Sequence, residues 1–141
     1  MDVGTVSIAD MREGLEASRT YTISPDVHEA FIAASGDRNP LHVDDAYARS
    51  LGFPEKVMHG GILGCFISHF VGMHFPAGAV LLQSVDTQFK SPCHLHDTIR
   101  IDARVTQVAE AVGAVVMSLV LTNATRDRVA AKSRVQIGLR G

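Results

Sequence analysis

The sequence predicts an α+β domain in which an antiparallel sheet curls round one buried helix. Two observations carry this. The first is the run Met58 to Phe75, MHGGILGCFISHFVGMHF, which places Ile62, Leu63, Cys65, Phe66, Ile67, Phe70, Val71 and Met73 in close succession. Apolar residues on every face of a helix imply burial on every face, unlike the single stripe of a surface helix. The second is the change after Pro76 and Gly78 to period-two, β-type runs at about 79–90, 98–109, 114–123 and 129–139. Their connections, at Ser91-Pro92, Glu110 to Gly113 and Thr125 to Arg128, are short, and short connections imply antiparallel neighbours. A sheet that buries an all-apolar helix must wrap it.

The chain of 141 residues fits a single domain, 1–141, large enough to bury a core. A net charge of −2 argues against a basic nucleic-acid-binding surface. The helical run, interrupted by Ser68, His69 and Gly72, falls short of the about 20 apolar residues that span a bilayer, so no membrane segment is expected. Two cysteines, Cys65 and Cys93, do not make a disulfide framework. The start, MDVGTVSIADMREG, lacks a basic segment followed by an apolar core, so no secretory signal is expected and a cytoplasmic location is.

The elements follow in order. Residues 1–14 are weakly patterned and end at Gly14. Arg19 to Ile23, RTYTI, is β-rich and gives the first of about five strands. Ser24-Pro25 opens a helix, with Ser as N-cap and Pro tolerated at the first position. Val27, Ala30, Phe31 and Ala34 form its apolar face, and Gly36 stops it. Pro40 disfavours helical geometry at Asn39. Asp44 or Asp45 caps a short second helix, and a loop with Gly52 and Pro54 leads to His59 and the long helix.

At the start of that helix Gly60 and Gly61 carry no side chains, so a ligand can approach their N–H groups. The first N–H groups of a helix lack internal partners and sit at its positive end, a place for an anion or a polarised carbonyl oxygen. A second candidate lies between the two short helices, where a proline-directed turn separates Asp37 from His42 and can aim both into one space. Asp37 follows the negative end of one helix and His42 precedes the positive end of the next, which favours the neutral form of each. One could then donate a proton and the other accept it.

SGDRNPLHVDDAYA, followed by VMHGGIL, resembles the hydratase motif of the MaoC-like, (R)-specific enoyl-CoA hydratases, which are hot-dog-fold proteins. The resemblance extends through VLLQSVDTQFKSPCHLHDTIRIDARV and covers the chain from about Gly14 to its end. It implies a curved sheet around a central helix. It also implies that Asp37 and His42 hold and activate the water that adds across a trans-2-enoyl thioester. By the same resemblance the Gly60 N–H, with Gly61 beside it, holds the thioester oxygen, Asn39 braces the turn, and Ser68 orients the catalytic carboxylate. Two departures stand out. Gly61 replaces a larger apolar residue usual in these proteins, which is expected to widen the acyl pocket. His96-Asp97 replaces a usual Gly-Asp turn. His94 and His96, beside Cys93, raise the idea of a metal site, but no further ligand stands at fitting spacing, so no metal is expected.

The expected activity is therefore that of a lyase of fatty acid metabolism, reversibly hydrating enoyl-CoA or enoyl-carrier-protein thioesters to the (R)-3-hydroxyacyl product without a cofactor. An acyl-CoA thioesterase and a non-catalytic acyl-CoA-binding protein are the alternatives, and an intact Asp37/His42 pair speaks against both. Open sheet edges, and the family's habit, lead us to expect a homodimer or a dimer of dimers.

Overall fold

The computed structural model describes residues 6–140. After a 3-10 turn at Ile8–Asp10 come β1 (Glu16–Thr22), α1 (Pro25–Ser35), α2 (Pro40–Val43), α3 (Asp45–Ser50) and α4 (Gly60–His69). A π-helical turn, Phe70–His74, continues α4, and β2 (Val80–Phe89), β3 (Thr98–Ala109), β4 (Ala114–Asn123) and β5 (Arg128–Leu139) complete the chain. The five strands form one antiparallel sheet in the order β1-β3-β4-β5-β2.

The sheet's inner face is read from alternation. Ile99, Ile101, Ala103 and Val105 of β3 point inward, as do Val115, Met117, Leu119 and Leu121 of β4. With Val135 and Ile137 of β5 they close over Ile62, Leu63, Phe66, Ile67 and Phe70 of the α4 helix. Each such side chain, fully buried, contributes about 1.5–3 kcal/mol.

Two sequence expectations change here. The α4 helix is not buried all round, because Gly61, Gly64, Cys65 and Ser68 lie exposed along one face. These residues recur at helical spacing and are small, so the run looked apolar throughout while one face had little to bury. The turn after Asn39 is also more ordered than expected, since Pro40 begins a helical turn of its own, α2, ahead of α3.

The first helix is as its sequence predicts. The Ser24 hydroxyl accepts the Val27 N–H at 3.2 Å, and Gly36 ends α1 in the left-handed region at φ 71°. That reversal turns the chain back across the start of the α4 helix, and there the candidate site forms.

Candidate active site

The turn from Gly36 to His42 is built from its own polar side chains. The Ser35 hydroxyl accepts the Asp37 N–H at 3.1 Å, and Asp37 Oδ1 accepts the Asn39 N–H at 3.1 Å. Asn39 caps α2, its Oδ1 accepting the Leu41 N–H at 3.0 Å. Asp37 thus has one carboxylate oxygen committed to the turn while Oδ2 faces His42.

His42 Nδ1 lies 2.7 Å from the Val57 carbonyl. A carbonyl only accepts, so Nδ1 carries the hydrogen and Nε2 keeps a bare lone pair. Nε2 is 3.9 Å from Asp37 Oδ2, too far for a direct hydrogen bond. One water, roughly 2.8 Å from each, spans such a gap. His42 lies inside α2, a single turn too short for much of a dipole, so the helix field expected at this residue is weak. Its tautomer is set by a carbonyl instead.

Gly60 and Gly61 stand as expected at the first two positions of the α4 helix, and neither N–H finds an acceptor among the described residues. A cavity of about 620 Å³ opens over them, walled by His42, Leu63, Phe89 and Cys93 among others. That volume suits a small ligand. The glycines have a second reason to be glycines. A Cβ on Gly60 would meet the Phe89 ring at 3.0 Å, and one on Gly61 would meet Phe31 at 2.4 Å. The pocket is therefore not widened by the small residue at position 61, because the Phe31 ring fills that space.

Ser68 is not brought into this group. It is exposed, makes no hydrogen bond to Asp37 and does not wall the cavity. Eight residues at 1.5 Å rise put it about 12 Å up the helix from Gly60.

Three residues with no expected role prove to tie the site together. His59 Nε2 donates to the Asp37 carbonyl at 2.8 Å, and its ring stacks on His42 with centroids 4.0 Å apart. His28 Nε2 donates to the His42 carbonyl at 3.0 Å, and burial lowers its pKa, which keeps it neutral for that task. His94 Nδ1 donates to the Lys56 carbonyl at 2.9 Å. Histidines in apolar runs were the available signal. Their targets are backbone carbonyls, on which a sequence leaves no mark. His96 makes the unusual turn by adopting a left-handed φ of 71°, the conformation that glycine would take there more easily.

Among the described residues one group of possible metal ligands converges, Asp37, His42 and His59, with donor atoms within 4.8 Å of one another. Ligands on tetrahedral zinc, at about 2.1 Å each, stand roughly 3.4 Å apart. The donor set fits a metal poorly. Cys93, His94 and His96 form no such group.

Comparisons with known proteins agree with this fold. The sequence model described as "MaoC like domain" matches residues 8–127. The chain is 29% identical over 132 residues to an (R)-specific enoyl-CoA hydratase of Rhodospirillum rubrum, covering 94% of this chain and 92% of that one. It is 32% identical over 81 residues to an (R)-specific enoyl-CoA hydratase of Aeromonas caviae, covering 57% and 60%. Among solved structures, unliganded R-hydratase PhaJ1 from Pseudomonas aeruginosa matches with a TM-score of 0.87 at 25% identity, covering 96% of this chain and 88% of that one. The (R)-hydratase of A. caviae matches in fold with a TM-score of 0.85 at 23% identity, covering 92% and 98%.

Proposed function

The chain belongs to the MaoC-like domain family, and from that premise we propose that it hydrates trans-2-enoyl thioesters to (R)-3-hydroxyacyl thioesters, reversibly. The observation that carries the proposal is the facing of two unlike sites. A bare imidazole nitrogen and a free carboxylate oxygen stand 3.9 Å apart, beside a cavity floored by two unpaired helix-start amides.

The thioester oxygen accepts the Gly60 N–H, which stabilises the enolate-like charge that develops there. Water held between Asp37 and His42 adds its oxygen to C3, and the pair takes up the proton that water loses. C2 receives a proton from the same pair, so the bonds balance without oxidant, reductant or cofactor. Both deliveries come from one turn and hence from one face of the alkene.

The carrier is CoA or an acyl-carrier protein; the curated relatives include enzymes of both names. Assembly as a homodimer, alone or paired again, is supported by β2, an edge strand that exposes Leu81, Leu82, Val85 and Phe89. No helix among the described residues is long and apolar enough to cross a membrane. Cys65 and Cys93 are free thiols, which suits the reducing cytoplasm.

The test is crotonyl-CoA. The conjugated enoyl-thioester absorbance should fall without release of free thiol, and the product should be the (R) alcohol. Thiol appearing at the rate of substrate loss would make the protein a thioesterase. An (S) product would refute the proposed face of attack.

A further inference from the structure

We infer that His59 is a positioning residue, the strut that fixes the distance between the acid–base pair and the amide that holds the thioester oxygen. The inference rests on the hydratase reading of this site and goes beyond it, since it assigns work to a cavity-lining side chain that takes no part in the proton transfers. Three contacts converge on His59. Its Nε2–H is bonded to the Asp37 carbonyl at 2.8 Å, so it pins the turn that carries the carboxylate. Its ring lies under His42, with centroids 4.0 Å apart and planes 27° apart, so it sets the height of the base. Its own peptide continues into Gly60. One side chain thereby joins all three groups that the reaction must align.

The fourth observation is a polar atom with nothing to do. His59 is 3% exposed, and its Nδ1 is buried without a hydrogen-bond partner. Donation from Nε2 to a carbonyl makes Nδ1 the acceptor nitrogen of the neutral ring, which fixes one tautomer. An apolar ring would bury no orphaned acceptor, but it would release the Asp37 carbonyl and with it the turn. The orphaned Nδ1 is a cost, and alignment of the site is what that cost accompanies. Phe31 holds the strut from the far side, its ring 4.7 Å from His59 and against Gly61.

The experiment is a pair of substitutions read by kinetics and melting. His59→Phe keeps a slightly larger aromatic ring on the stack but cannot bond Asp37. It should stay folded while kcat falls about 10- to 100-fold, the scale of a displacement near 1 Å. KM for crotonyl-CoA should stay within about threefold, since the Gly60 amide is untouched. His59→Gln carries an amide N–H to much the same place as Nε2 and should recover about tenfold in kcat over the Phe variant. A Phe variant at wild-type kcat, or a Gln variant no better than Phe, overturns the inference. Should either variant fold badly, 15N NMR of the wild type still decides, for it must show His59 with a bare Nδ1 and a protonated Nε2. A protonated Nδ1 overturns the strut, and that readout does not depend on turnover. A wild type inert towards enoyl-CoA of any length would instead sink the hydratase reading itself.

Discussion

In the proposed hydration Asp37 and His42 divide the chemistry because their surroundings leave one functional atom on each. Asp37 Oδ1 is tied to the Asn39 N–H and His42 Nδ1 to the Val57 carbonyl, so only Oδ2 and Nε2 remain for water. Asp37→Asn and His42→Ala should each lower kcat by roughly two to four orders of magnitude in the crotonyl-CoA assay, the scale of losing acid–base catalysis. The Asp37 side chain is 48% exposed and packs no core, so its variant should unfold at nearly the wild-type denaturant concentration. Normal turnover in either variant would remove that residue from the mechanism. Both residues were legible in the sequence because a proline-directed turn brings near neighbours together. His59 was not, for its partner is the carbonyl of a residue 22 positions away.

Among the elements, the loop before the α4 helix matters most, because Val57 must hold its carbonyl where His42 needs it. The loop is lashed from several sides. The Lys56 N–H goes to Asp45 Oδ1 at 2.9 Å, the Val57 N–H to the Leu41 carbonyl at 2.9 Å and the Met58 N–H to the Cys93 carbonyl at 2.8 Å. Arg126 reaches Glu55 at 3.5 Å and is anchored by buried Asp97 at 2.9 Å. Burial pushes the Asp97 carboxyl upward, but bonds from Asn123, Arg126 and the His94 N–H outweigh it and hold the pKa below its usual value of 3.8. A carboxylate with a depressed folded pKa stabilises above its unfolded value and loses that contribution as pH falls through the folded value. Asp97→Asn should therefore cost about 2–3 kcal/mol at pH 7, less than a fully buried pair because Arg126 is partly exposed. The gap between variant and wild type in urea unfolding should narrow below about pH 4. A gap that stays constant with pH would show that the charge is not what stabilises this corner.

At the scale of the whole molecule, the sheet ends in two unlike edges. β1 reads EASRTYT and is largely polar, whereas β2 exposes Leu81, Leu82, Val85 and Phe89. An apolar edge with no strand beside it among the described residues is a surface that invites pairing. The α4 face of Gly64, Cys65 and Ser68 is likewise uncovered. Val85→Lys should thus shift the protein from dimer to monomer in sedimentation at micromolar concentration. Turnover should fall with it, because Phe89 on the same strand walls the cavity. A wild-type protein that sediments as an active monomer would end the dimer proposal.

The bounds of β3 and β4, the Ser24 and Gly36 caps and the Asp37–His42 turn were determined by the sequence alone, and each is a local matter of alternation, capping or a proline's fixed geometry. β1 instead begins at Glu16, three residues before the expected Arg19, because its pairing with β3 extends the strand through residues with little β pattern of their own. β3 and β4 run over Thr98–Ala109 and Ala114–Asn123, as their period-two patterns predict. What only the tertiary structure decided involves residues far apart in the chain. The α4 helix keeps an open face because the sheet wraps one side of it, and Phe31 occupies the space left by Gly61 because α1 folds back across the helix start. His28, His59 and His94 became ties because carbonyls from other segments came within 3.0 Å of their rings. A side chain's chemistry is written in its own letter. The backbone group that it meets is set by packing, and every residue supplies the same carbonyl.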